Sequence, residues 1–312
     1  MFFLACVSCG NKTETSPKAT EWVAGPTIGT LDLLAVDFID DNTGWAVGDI
    51  EPGGTAGSIF HTTDGGRSWQ PIAQTSEIYA AIHFLSSTDG WIAGYGGRIE
   101  RTRDGGRSWQ VERSEREGEV LNSIFFIDDE RGWIAGGRGL VLRTTNAGQS
   151  WQVIFTARVE DLWSVRFATP ELGWIVGDDG LILATTNGGN SWSARSCPAK
   201  NALYGIAVAS RNLIVAVGEG GTILRSEDGN TWTMVQSNTS ETLNSASTSS
   251  TNIFWAVGSR GASVGSSDGG RTWNSAAPVS SRTLTAVAIT GRAHGVAVGR
   301  RGATQILQQT SK

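Results

Sequence analysis

One phrase recurs along this chain at a nearly constant interval, and that periodicity dictates a fold built from repeated units. The phrase is Gly-Trp-Ile-Ala-Gly with variations, and its final glycines are Gly48, Gly94, Gly136, Gly177, Gly218, Gly258 and Gly299. Successive copies lie 40 to 46 residues apart. A second phrase, Thr-x-Asp-Gly-Gly-x-Ser-Trp, ends at Trp69, Trp109, Trp151, Trp192, Trp232 and Trp273, with gaps of 40 to 42 residues. A unit of that length buries its apolar face only by stacking on its neighbours.

Each unit reads as four short strands divided by turn residues. In the third they run Leu121–Ile127, Gly132–Gly136, Leu140–Thr144 and Ser150–Phe155. Seven such units predict an all-β fold, a seven-bladed β-propeller of four-stranded blades occupying 21–310. The second phrase has one copy fewer than the first, and the deficit sits at the front. Trp22 lies 26 residues before Gly48, the same offset as Trp151 before Gly177. Glu21-Trp22-Val23 is therefore expected to supply the fourth strand of the last blade, closing the ring and removing a free sheet edge. One insertion, Ile50 to Gly57, lengthens a loop of the first blade.

The second phrase is an Asp-box, with Asp64, Asp104, Asn146, Asn187, Asp228 and Asp268 at its acidic position. An Asp or Asn there accepts hydrogen bonds from its own turn. Two of the six are amides, and an amide cannot replace a carboxylate nucleophile or proton donor. The boxes are thus expected to be structural. One carboxylate per box also falls short of the six to eight oxygens calcium takes. No cluster has metal-ligand spacing and no phosphate loop appears, so neither metal nor other cofactor is expected.

The formal net charge of −5 supplies no basic field for nucleic acid. No apolar run reaches the roughly 18 residues of a membrane span. Residues 1–20 read as a signal or lipoprotein-type N-terminus and linker: a short apolar run ends in Cys6 and Cys9, followed by a polar tail. Cys9, after Val7-Ser8, is the favoured lipidation site, with Cys6 the other choice. The expectation is an exported protein, held at the cell envelope by a lipid anchor only and monomeric. Cys197, the one remaining cysteine, is expected to be an unpaired, partly buried thiol.

The joined pattern covers residues 21 to 307 and is quoted best by GWIAGGRGLVLRTTNAGQSW. It resembles the photosystem II stability and assembly factor family. That resemblance implies a seven-bladed propeller of the thylakoid lumen, without catalytic role, that escorts newly made reaction-centre subunits. It also implies an arginine patch on one face. The partner so implied is a membrane-protein subunit or assembly intermediate, photosystem II-like if the source is photosynthetic.

Strand direction alternates, so the Asp-boxes share one face, and the loops after each second strand share the other with the blade connections. Those loops carry Arg98, Arg138, Arg260, Arg300 and Arg301, whereas blades 4 and 5 carry Asp178, Asp179 and Glu219. Connections add Arg113, Arg116, Arg158 and Arg282. Arginine is enriched at protein interfaces; the plain alternative is solvated charge. Trp163 and Tyr204, with Tyr79 one position earlier, are expected to ring the channel mouth on this face. Asp37, His83 and Arg166 form one column further along the innermost strands.

Two further functions belong to other classes. A glycan-binding propeller of the envelope would use the aromatics. A sialidase-like glycoside hydrolase needs a tyrosine nucleophile with a glutamate, or two carboxylates flanking one bond. The seven-blade count and the lack of an Arg-Ile-Pro phrase argue against the enzyme.

Overall fold

The computed structural model describes residues 20–49, 57–75, 77–114 and 118–310. The predicted lipidation site Cys9, its alternative Cys6, most of the first-blade insertion and Arg116 lie outside them. The described residues form seven four-stranded antiparallel sheets. In six of them the strands follow chain order from the channel outward. The seventh is completed by Thr20–Ala24, which pairs with Thr304–Gln309 so that Trp22 faces Leu307. The predicted ring closure is present.

The third blade shows how the repeat makes a blade. Its strands are Leu121–Phe126, Gly132–Gly136, Val141–Thr144 and Gln152–Ile154. The second strand, Gly-Trp-Ile-Ala-Gly, is buried throughout, because it has a strand on either side and a blade against each face. Its end glycines mark close approaches. A Cβ on Gly132 would sit 2.6 Å from the ring of Phe126, and one on Gly136 would sit 2.4 Å from the Val120 carbonyl oxygen.

The tryptophans of both phrases meet on one phenylalanine. Trp133 stacks flat on Phe167 of the next blade at 3.6 Å, and the Asp-box Trp192 meets the same ring edge-on at 5.7 Å. Trp91 and Trp151 treat Phe126 likewise, as Trp45 and Trp109 treat Phe84. The Trp133 indole also donates to the Gly188 carbonyl in the Asp-box of the next blade, at 3.0 Å. Each aromatic junction joins two blades, which is why tryptophan recurs with the period of the repeat. Trp91 is the variant: Arg101 lies over its ring at 4.6 Å and takes the corresponding Ala147 carbonyl instead.

The Asp-boxes close their turns in the predicted way. Ser68 N–H and Oγ–H donate to Asp64 at 2.8 and 2.6 Å, and Thr62 Oγ–H donates at 2.8 Å. Where the box residue is Asn146, its amide donates to Ser150 Oγ at 2.9 Å, so the hydroxyl reverses role and the bond survives. Aspartate and asparagine are interchangeable here because serine can be donor or acceptor. Cys197 is the free cysteine of the described residues; it packs on the apolar core between blades 4 and 5, where burial pushes its thiol pKa up.

Candidate docking face

In blades 2 to 7 the loops after the second strands are single tight turns, and their geometry decides how their side chains are shown to solvent. In five blades the turn is one short 3-10 segment whose middle residue has positive φ. Those residues are Arg138, Asp179, Gly220, Arg260 and Arg301, at φ 57°, 55°, 64°, 52° and 55°. The blade connection locks the turn from below. Asp161 accepts the Arg138 backbone N–H at 2.8 Å, and Asp32 accepts that of Arg301 at 2.9 Å. The following glycine cannot change: a Cβ on Gly139 would lie 2.3 Å from the Arg158 carbonyl oxygen. Left-handed backbone costs an L-residue with a side chain about 1–2 kcal/mol. Glycine would avoid that cost, as Gly220 does in blade 5.

The expected arginines fall into distinct environments. Arg138 is exposed, and its guanidinium has no partner among the described residues. Arg260 is 81% exposed and touches Glu241 at 3.2 Å. Arg300 approaches Asp32 at 3.7 Å, and Arg282 donates to the Arg301 carbonyl at 3.2 Å. Arg98 differs. Its side chain is only 28% exposed and its Nε–H donates to Glu100 and to the Tyr79 hydroxyl. Arg113 is likewise paired with Glu119 at 2.9 Å. Blade 2 therefore adds little net positive charge, and the basic arc consists of blade 3 and blades 6–7.

Tyr79 does not ring the channel mouth as expected. It is buried, and its hydroxyl donates to Glu100 at 2.7 Å. The reason is the two-residue side-chain period of a strand: Tyr79 pairs with Gly94, the position that Leu121 and Leu162 hold against Gly136 and Gly177 in their blades. One residue later the chain faces the channel. There Asn122 and Asn244 donate to the Leu162 and Leu284 carbonyls of the next blades, at 3.0 and 2.8 Å. Trp163 and Tyr204 occupy this level and meet edge-on at 5.5 Å. The Trp163 indole donates to Asp178 at 2.7 Å. Burial, then Glu219 and Asp178, raise the Tyr204 phenol pKa. The aromatic pair thus spans the acidic blades 4 and 5, with Trp163 reaching the groove that also holds Arg138.

The channel space that they line holds about 120 Å³. Arg166 lines it, donating to the Val165 carbonyl at 2.8 Å and lying over Phe125. Burial lowers its pKa, partly offset by Asp37. His83 lies 3.3 Å from Asp37, and its other ring nitrogen lies 2.9 Å from the Phe126 carbonyl oxygen. The column ties blades 1, 2 and 3 together. Among the described residues no group of three or more His, Cys, Asp or Glu side chains is placed to hold a metal ion.

Beside its charged residues, the face carries apolar residues that charge patterning does not reveal. Phe155 and Val159, at the rim of blade 3, are 89% and 83% exposed. Their only sequence signal is that they continue past the outermost strand.

Residues 71–159 and 155–243 match the family described as photosynthesis system II assembly factor YCF48. No curated protein matches the sequence. Among solved structures, the chain is similar to YCF48 bound to D1 peptide, at 20% identity and TM-score 0.74, over 96% of this chain and 99% of that one. It is similar to YCF48 from Cyanidioschyzon merolae at 18% identity and TM-score 0.72, over 92% and 98% of the two chains. The WD40 propeller domain of Doa1 superposes with TM-score 0.74 at 12% identity, over 94% and 98%, a likeness of fold alone. The matched segments together span more than half of the sequence, and the chain belongs to the photosynthesis system II assembly factor YCF48 family.

Proposed function

We propose that this propeller is a non-enzymatic scaffold that docks a membrane-protein client on the face bearing the turns after the second strands. The carrying observation is that Arg138, Arg260 and Arg301 hold left-handed backbone in turns of one design. A costly conformation retained at equivalent positions on one face suits a binding role better than a folding role. Trp163, which lines the groove holding Arg138, and its ring partner Tyr204 supply the aromatic component of such a surface. A related YCF48 has been solved with a D1 peptide, which favours a photosystem II subunit as the client. The propeller would act as a monomer, exported to the lumenal side and held there by a lipid on Cys9, with 21–310 as its single folded domain. Consumption of the Asp-box carboxylates within their own turns supports the absence of catalysis.

The test is a tagged pull-down from gently solubilised membranes of the source organism, comparing the native chain with R138E/R300E/R301E. Arg98 is left intact, because reversing it would strand Glu100. Loss of a captured membrane subunit in the variant supports the reading. Unchanged capture makes the arginines ordinary solvated charge, and glycan binding through Trp163 and Tyr204 then leads.

A further inference from the structure

The exposed Phe155 of blade 3 lines a groove of about 720 Å³ on the docking face, and Val159 directly follows the lining residue Arg158. The groove begins at the rim beside Val153 and Phe155, passes Arg138 and Leu140, and reaches Trp163 at the channel mouth. Val153 and Tyr95 add further exposed apolar surface, at 56% and 45%. Large apolar groups clustered at a concave site mark binding surfaces more often than single exposed residues do.

The charges within the groove are almost all committed. Glu119 is paired with Arg113, Asp161 accepts the Arg138 N–H, and Glu160 lies 3.6 Å from Arg158. Arg138 alone offers a guanidinium without a partner among the described residues, and it does so from left-handed backbone. The corresponding notch in blade 5 is a useful contrast. It is lined by Asn201, Thr222, Met234, Gln236 and Asn238, with no charged side chain. The apolar wall beside an unpaired cation in blade 3 is therefore absent from the notch of blade 5.

We infer that this groove binds an extended peptide segment that presents a bulky apolar side chain to Phe155 and Val159 and a carboxylate to Arg138. The inference rests on the proposed docking function and narrows it to one blade. Spacing supplies the register. The Arg138 turn joins the second and third strands, while Phe155 follows the fourth. At about 4.8 Å between strands, the two lie roughly 7–10 Å apart, or two to three residues of extended chain. The recognised pattern is thus an apolar residue followed two or three positions later by Asp, Glu or a chain terminus. Arginine can take that carboxylate through two parallel N–H donors.

The experiment uses the full chain and three fluorescein-labelled, C-terminally amidated peptides, Phe-Ala-Ala-Asp, Phe-Ala-Ala-Asn and Ala-Ala-Ala-Asp, so that the Asp side chain is the one carboxylate on offer, read by fluorescence anisotropy. The expected order of affinity puts the first peptide about tenfold ahead of each of the others, as one charge-assisted or one aromatic contact implies. F155S/V159S removes the preference for Phe, and R138Q removes the preference for Asp over Asn. Both variants change exposed side chains, and circular dichroism checks their fold. Equal binding of the three peptides, or preferences that survive the substitutions, overturns the proposal. Vesicle sedimentation that depends on Phe155 without any peptide preference also overturns it, because the patch is then a membrane contact. The broader docking function is judged separately: membrane capture that persists in F155S/V159S but disappears in R300E/R301E keeps the scaffold and moves its contact to blade 7, whereas capture that no variant changes overturns the docking face itself.

Discussion

Trp133 lies flat on Phe167 of the neighbouring blade, with ring planes 16° apart and centroids separated by 3.6 Å. Trp192 closes the other side of the junction edge-on. The substitution F167A leaves both tryptophans facing a cavity and is expected to cost about 3–5 kcal/mol. The urea midpoint should fall, and native tryptophan emission should shift to the red. A change below about 1 kcal/mol would mean that the stacked pairs do not bind the blades together.

Glycine at the left-handed turns should stabilise the fold while weakening docking. Relief of about 1–2 kcal/mol of backbone strain is partly cancelled by the extra chain entropy of glycine, about 0.5–1 kcal/mol. R138G, R260G and R301G should therefore each raise stability by about 0.5–1 kcal/mol. Thermal denaturation reads the gain and membrane pull-down reads the loss. Destabilised variants would show that the guanidinium groups contribute to folding.

Acid should loosen the Asp-box turns. Hydrogen bonds from Ser108 hold the Asp104 pKa down to about 2. Those from Thr231 do the same for Asp228. At Asp268 burial acts upward, but the bonds from Thr272 outweigh it and the pKa is again about 2. A carboxylate whose folded pKa lies below its unfolded value contributes stability above the unfolded pKa. That contribution is lost as pH falls through the folded one. The window is about pH 4 to 2. D104N/D228N/D268N copies the amides at Asn146 and Asn187 and should lose less of its urea midpoint than the native chain between pH 4 and 2.5. Parallel acid curves would refute the assignment.

The amide boxes offer a test without titration. Asn187 accepts from Ser191 N–H at 3.1 Å and from Thr185 Oγ–H at 2.9 Å, and donates to Ser191 Oγ at 2.9 Å. N187A should cost about 1–2 kcal/mol by leaving these partners to water or unpaired. N187D should cost far less, since the serine hydroxyl can reverse its role.

Blade number, ring closure and the use of every repeat tryptophan were legible because each depends on spacing alone. Trp22 could be placed in the last blade by its offset from Gly48, and its pairing with Leu307 agrees. The docking face was legible only in outline. Which loops share a side follows from alternating strand direction, but which arginines stay free depends on neighbours two strands away. Arg98 is drawn to Glu100 because Tyr79 occupies the interblade leucine position of its strand and brings a hydroxyl with it. A one-residue offset thus moved Tyr79 from the channel to the core and committed the arginine beside it. The Phe155 rim escaped notice for a different reason. Apolar residues next to a strand read as more strand, and only the length of the fourth strand shows them to be outside it.

Thr20–Ala24 lies along Thr304–Gln309, so the first and last described strands run side by side in one sheet, with Thr20 opposite Gln309. The order in which the blades are synthesised is then not written into the finished ring. Joining the two ends with a short linker and reopening the chain between any other two blades should yield a circular permutant with the same seven junctions. Only the identity of the last blade to be completed during folding would differ.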